Sequence, residues 1–300
     1  MTMPKACYLL TYASLMLPTI LSTPTGPWHS PNAAVVTRNV LLKRTFPDTG
    51  VDFPDTEPHP NPLDQVETAF NDAAELASYV LTSIDTDTTI YPHYFNEADR
   101  AGVKSVYTSI LGTTAIPQNP STGNDLLGNI LVQRNDVENQ CGNPRTLAYM
   151  ADHNTQKPFI ILCPNAFKKK AVTAMNGAED PEDNPNDAKW YILCDDLNIN
   201  GHVSYLMNSL GATMLHEYTH YDALTQSIFN AEIIDQPNGY GPFNVYDRLD
   251  KSLAKLNSDS YMYYALQVLW TELCQPPNGY AAPRSGIDDN DPDCSGVCQN

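Results

Sequence analysis

The sequence predicts a mainly α protein of the α+β class, with a small sheet and a core stapled by disulfides. Three observations carry that expectation. Apolar residues recur at helical spacing in several long stretches, one short apolar run is closed by proline, and six cysteines follow the N-terminal leader. With 300 residues the chain is long enough to bury a sizeable core.

The elements follow in chain order. Lys5 precedes an uncharged, mostly apolar stretch from Ala6 to Leu21, and small residues come next at Ser22, Thr23 and Thr25. That is the layout of a secretory signal peptide, over residues 1–22. The stretch is short for a membrane span and Pro18 interrupts it, which argues against an anchor. Residues 23–61 are Pro-rich and read as a propeptide or linker. Within them Lys43-Arg44 is either a processing site or an ordinary surface pair. Cleavage there would remove four basic residues and no acidic one, taking the formal charge from −18 to −22. The folded domain is expected over 62–275, and an acidic, cysteine-containing tail over 276–300.

From Leu63 to Ile84, the residues Val66, Phe70, Ala73, Ala77, Val80 and Ile84 mark one face of a helix. A second helix runs from about Glu97 to Leu111, with Val103, Val106, Tyr107 and Ile110 together. Residues 112–145 are polar and rich in Gly, Pro and Asn, so a loop is expected, with a short strand near Leu126–Val132. Phe159 to Leu162, ended by Cys163-Pro164, suits a buried strand. The acid-rich stretch 178–188 reads as a solvated loop. Ser204 to about Leu224 is predicted helical, with Leu210, Met214 and Tyr221 buried. Leu249, Leu253 and Leu256 stand at i, i+4 and i+7 within a further helical stretch from Asp247. A last helix is predicted over Ser260–Cys274, capped by Asp259 or Ser258.

Charge and cysteine usage narrow the function classes. Lys plus Arg is 17 against 35 for Asp plus Glu. Such a field repels phosphate backbones and anionic lipid, so neither nucleic acid nor a membrane surface is an expected partner. Cys141, Cys163, Cys194, Cys274, Cys294 and Cys298 permit up to three disulfides in an oxidising compartment, with the pairing open. No Asn-x-Ser/Thr sequon is present.

The informative segment is His216-Glu217-Tyr218-Thr219-His220. Two histidines four apart on a helix differ by only about 40° around its axis, so both imidazoles can reach one metal ion. Glu217 then projects beside the open coordination position. Zinc held by neutral imidazoles lowers the pKa of a bound water, and a neighbouring carboxylate can take that water's proton and pass it to a leaving amine. Two protein ligands do not complete a catalytic zinc site. The acidic candidates for the third are Glu232, Asp235, Asp247 and Asp259. No histidine follows His220, and His202 upstream reads as a loop residue. Asp259 either orients the site through a hydrogen bond or caps the last helix.

The segment resembles the deuterolysin-type zinc endopeptidases, the aspzincins, which include lysine-specific metallo-endopeptidases. Their pattern is H-E-x-x-H followed by G-T-x-D-x-x-Y-G. His216, Glu217 and His220 match the first part, Tyr240-Gly241 matches the Tyr-Gly, and Asp235 is the partner for the Asp. The Gly-Thr is missing, and four residues rather than two separate Asp235 from Tyr240. Ile161-Leu162-Cys163-Pro164 and Asn257-Ser258-Asp259-Ser260-Tyr261 also resemble stretches of that family. The resemblance covers about residues 155–270. It implies a zincin-like helical catalytic domain, one Zn2+ held by His216, His220 and Asp235, Glu217 as general base and Tyr240 near the oxyanion. The expected activity is that of a secreted, monomeric zinc endopeptidase acting on protein or peptide substrates. The rival is a secreted zinc-binding protein without turnover, a metal scavenger or adhesin that retains the motif.

Overall fold

The computed structural model describes residues 47–49, 53, 61–113, 123–143, 145–172, 194, 201–276 and 279–283. The leader, Lys43-Arg44, the acidic stretch 178–188 and the cysteines at 294 and 298 lie outside them.

Helix α1 spans Pro62–Ser83. Its start is written locally: Asn61 Oδ1 accepts from the Asp64 N–H at 2.9 Å, Asp64 answers at the Asn61 N–H, and Pro62 occupies a position whose N–H has no helical partner. Val66, Phe70, Ala73, Ala77 and Val80 are all buried, as their spacing predicts. A short α2, Tyr91–Tyr94, and α3, Arg100–Leu111, follow; a single 3-10 turn over Glu97–Asp99 precedes α3, and Gly112 at φ +68° ends it.

The sheet has four short strands: β1 Asp48–Thr49, β2 Leu131–Gln133, β3 Ala148–Ala151 and β4 Phe159–Leu162. Their order is β1-β2-β4-β3; the first two pairings are parallel and β3 runs antiparallel to β4, with Ala148 opposite Leu162. Among the described residues strand β3 is thus an edge. The buried strand expected at 159–162 is β4. The strand expected near 126–132 begins only at Leu131, because Asp125–Asn129 forms a 3-10 turn capped by Asn124.

The predicted helix from 204 to 224 is three pieces. Tyr205–Met207 is a 3-10 turn, α4 is Leu210–His220 and α5 is Asp222–Phe229. Ser209, extended at ψ 167°, starts α4 by accepting the Ala212 N–H at 3.0 Å. Tyr221 breaks the run at ψ 106°. The Asp222 N–H bonds His153 O instead, and the Thr225 hydroxyl donates to Thr219 O and Tyr221 O. The stretch 247–256 is likewise no continuous helix. A π turn over Asn244–Arg248 ends at an extended Leu249, Asp250 caps a turn at Ser252, and Leu253 is exposed. The last helix, α6, is Ser258–Cys274, and Asn257 rather than Asp259 or Ser258 stands at its cap.

Helix α6 is buried on every side from Ser258 to Trp270 and forms the centre of the domain. Tyr91, Tyr94 and Tyr107 each pack ring against ring on Tyr264 of this helix. Helix α4 lies against α1, α6 and β3. Gly211 permits the close α1–α4 crossing, since a Cβ there would stand 2.2 Å from Asp72 Cβ. Two disulfides, Cys141–Cys163 and Cys194–Cys274, tie the edge of the sheet and the end of α6 to their neighbours. Among the described residues no helix is long and apolar enough to cross a membrane.

Candidate metal centre

Helix α4 presents His216 and His220 one turn apart on one face, and their Nε2 atoms stand 3.2 Å from each other. The other nitrogen of each ring is already occupied. His216 Nδ1 lies 2.7 Å from Asp259 Oδ1, and His220 Nδ1 lies 2.9 Å from Ile233 O. Both acceptors require a proton on Nδ1, so in the neutral rings both Nε2 atoms carry a lone pair towards the same point, with the Ser258 hydroxyl also 3.2 Å from His220 Nε2. Asp235 Oδ1 completes the triangle, 3.2 Å from His216 Nε2 and 3.5 Å from His220 Nε2. That oxygen is buried and receives no hydrogen bond.

Three lone-pair donors so close together repel one another unless a cation or a shared proton lies among them. The set can hold a metal ion: all three ligand atoms lie within 4.8 Å of one another, and two nitrogens with one carboxylate suit a divalent ion. Burial works against the imidazolium of His216, but the Asp235 and Asp259 carboxylates outweigh it and raise its pKa well above the usual value. Burial likewise works against the charge of Asp235, yet the two imidazoles hold its carboxyl far below the carboxylate range. The site is built to concentrate negative charge around a positive one.

No family model matches the chain, and no curated protein matches it. Geometry therefore carries the comparison with the expectations. Of the four acidic candidates, Asp235 joins the histidines, while Glu232 and Asp247 are exposed and stand outside the cluster. Asp259 makes no cap. Its two oxygens accept from His216 Nδ1 and from the Gly241 N–H at 2.7 Å, so it orients the His216 ring and pins the Tyr240-Gly241 segment. His202 is a loop residue, with Nδ1 2.9 Å from Ala282 O.

The four residues between Asp235 and Tyr240 form a turn. The Gly239 N–H donates to Gln236 O, while Asn257 accepts the Gln236 N–H and donates to Gly239 O. Tyr240 OH consequently still donates to Asp235 Oδ2 at 2.6 Å, although the ring is exposed. Asn257 spends its amide on this turn and on Ser260, which is why it gives α6 no side-chain cap.

Glu217 is 2% exposed, and its Oε2 has no hydrogen-bond partner among the described residues. Burial pushes its carboxyl above the usual range, partly offset by the two histidines. His216, Glu217, His220, Asp235, Tyr240 and Asp259 all line one cleft of about 600 Å3. Its other wall is Leu147 to Met150, the edge strand β3 and the residue before it. Sequence reasoning missed that strand, because four residues, Ala148-Tyr149-Met150-Ala151, are too few to show alternation. It also missed Asn208 and Asn244, polar residues that line the cleft from elements on opposite sides of α4 in sequence.

Proposed function

We propose that the chain is a zinc-dependent endopeptidase, exported to an oxidising compartment where its disulfides persist. The observation that carries the proposal is a buried Glu217 carboxyl, its Oε2 without a partner among the described residues, one residue from the first of two histidines whose Nε2 atoms converge with Asp235 Oδ1. His216, His220 and Asp235 are the residues that hold the ion. Zinc bound there supplies a water of lowered pKa and polarises a carbonyl.

The chain's own groups do the rest. Glu217, sequestered and raised in pKa, takes a proton from the attacking water and delivers it to the amine nitrogen as the C–N bond breaks. Asp259 and Ile233 O hold the imidazoles in the tautomer that leaves Nε2 unprotonated. Tyr240 orients Asp235 through its hydroxyl; the role near the oxyanion implied by the resemblance requires that hydroxyl to turn from Asp235 to the substrate oxygen. Among the described residues strand β3 has a neighbour on one side only, and it borders the cleft, so its other edge is where an extended peptide would pair. A scavenger or adhesin has no use for a desolvated carboxylate beside its metal, which makes it the weaker alternative.

The test is zinc content together with hydrolysis of casein or a peptide library. The native chain should bind about one zinc and lose activity in chelator. Glu217→Gln should keep the metal and lose roughly 100-fold or more in kcat. Full activity in Glu217→Gln, or cleavage indifferent to chelator, would refute the mechanism.

A further inference from the structure

Asp235 is flanked by two exposed apolar side chains. Among the described residues, Val137, Ile234, Tyr240 and Leu253 are the large apolar side chains left exposed, and two of the four, Ile234 and Tyr240, line the cleft. Ile234 is fixed beside the metal site by its chain neighbours. On one side the Ile233 carbonyl lies 2.9 Å from His220 Nδ1, and on the other Asp235 supplies the third candidate ligand. Consecutive Cα atoms are about 3.8 Å apart, so Ile234 cannot lie away from that centre. Its backbone is fully engaged: the N–H donates to Leu256 O at 3.1 Å and the carbonyl accepts the Ser258 N–H at 3.3 Å. Ile233 is buried and Ile234 is 42% exposed, so what Ile234 presents to the cleft is its side chain. Tyr240 reaches the same place from the other end of the turn. Its hydroxyl is held on Asp235 Oδ2, and its ring is 54% exposed.

A single apolar side chain on a surface needs no explanation, but two beside one candidate ligand, inside a cleft, make a contact surface for an apolar guest. The two backbone bonds keep Ile234 from turning inward to lose its exposure. We propose that Ile234 and the Tyr240 ring form a specificity wall beside the metal, so that the peptide residue next to the scissile bond is a large apolar one such as leucine or phenylalanine. This rests on the peptidase reading and names its substrate class. Such a side chain removes apolar surface of both residues from water, worth about 25 cal/mol per Å2 covered. A serine or glycine leaves that surface wet. A lysine or arginine would meet no uncommitted carboxylate. Among the described residues the cleft is lined by three, Glu217, Asp235 and Asp259; the first is the base, and the other two are tied to His216, Tyr240 and the Gly241 N–H. The chain's overall acidity therefore does not translate into a preference for basic residues beside the cut.

The test separates binding from turnover. Blocked peptides that differ at one position in Leu, Phe, Ser or Lys are assayed for kcat/KM with the native chain, the cleaved bond being located by mass spectrometry. The same set is titrated by fluorescence anisotropy against zinc-loaded Glu217→Gln. With the varied position next to the scissile bond, the Leu and Phe peptides should be cleaved about 10- to 100-fold more efficiently than the Ser or Lys peptides. Ile234→Thr keeps the branched shape at an exposed position and loses apolar surface. It should retain zinc, narrow that ratio about 3- to 10-fold and leave the Ser peptide unchanged. Ile234→Leu should keep the native ratio. Equal or better cleavage of the Ser or Lys peptides, or a preference unchanged in Ile234→Thr, overturns the wall and leaves the peptidase reading standing. An apolar preference in binding, sensitive to Ile234→Thr, with no cleavage by the native chain supports the wall and overturns the peptidase reading instead. A chain that binds and cleaves none of the peptides overturns both.

Discussion

Asp72 is the most consequential charge outside the metal site. It lies on α1 at the crossing with α4, is 3% exposed, and accepts one hydrogen bond, from the Val172 N–H at 2.8 Å. Burial outweighs that bond and, with Glu75 nearby, pushes its carboxyl up from 3.8 to about 7. The folded state therefore holds this proton over a range in which the unfolded chain has released it. The stability gained is full below about pH 4 and is lost as the pH rises through about 7. Three powers of ten in proton affinity correspond to about 4 kcal/mol. Asp72→Asn keeps the acceptor for Val172 and stays neutral at every pH. The variant should match the native chain near pH 4 and exceed its stability by up to about 4 kcal/mol at pH 8. Urea denaturation from pH 4 to 8 in chelator measures this, because the difference between the two proteins cancels protons linked to the histidines and the metal. A difference that does not change with pH would refute the reasoning.

Two further perturbations probe the frame around the site. Asp259→Asn leaves His216 without its carboxylate and should weaken zinc affinity about 10- to 100-fold in a competitive chelator titration, with the fold retained by circular dichroism. Gly211→Ala places a methyl 2.2 Å from Asp72 Cβ and 3.2 Å from Ala69 O and Ala73 N, so α1 must move. It should cost about 1–3 kcal/mol in thermal or urea unfolding and loosen the helix that carries the histidines.

What the sequence made legible is what depends on neighbours along the chain. The His216–His220 pair, the buried face of α1 and the Phe159–Leu162 strand all follow from local periodicity, and they stand where that periodicity puts them. The helix breaks at Tyr221 and Leu249 did not show, because they are set by long-range bonds such as Asp222 N–H to His153 O. Asp235 was legible as a candidate from its place before Tyr240-Gly241, while its reach to the histidines depends on the turn that Asn257 fastens from 21 residues away. Asp259 was legible both as a hydrogen-bond partner of the site and as a helix cap; the packing of α6 against α4, which brings it onto His216, decides between them. Asp72 falls on a face that the apolar pattern of α1 leaves to polar residues, so its burial against Gly211 has no signal in either segment alone.

X-ray absorption at the zinc edge of the loaded native chain asks directly whether these three side chains grip the ion. Two imidazole nitrogens and a carboxylate oxygen at about 2.0–2.2 Å, with one imidazole lost in His220→Ala, is the expected shell. A sulfur-containing shell, a shell of water alone, or a folded chain that retains no zinc would contradict it.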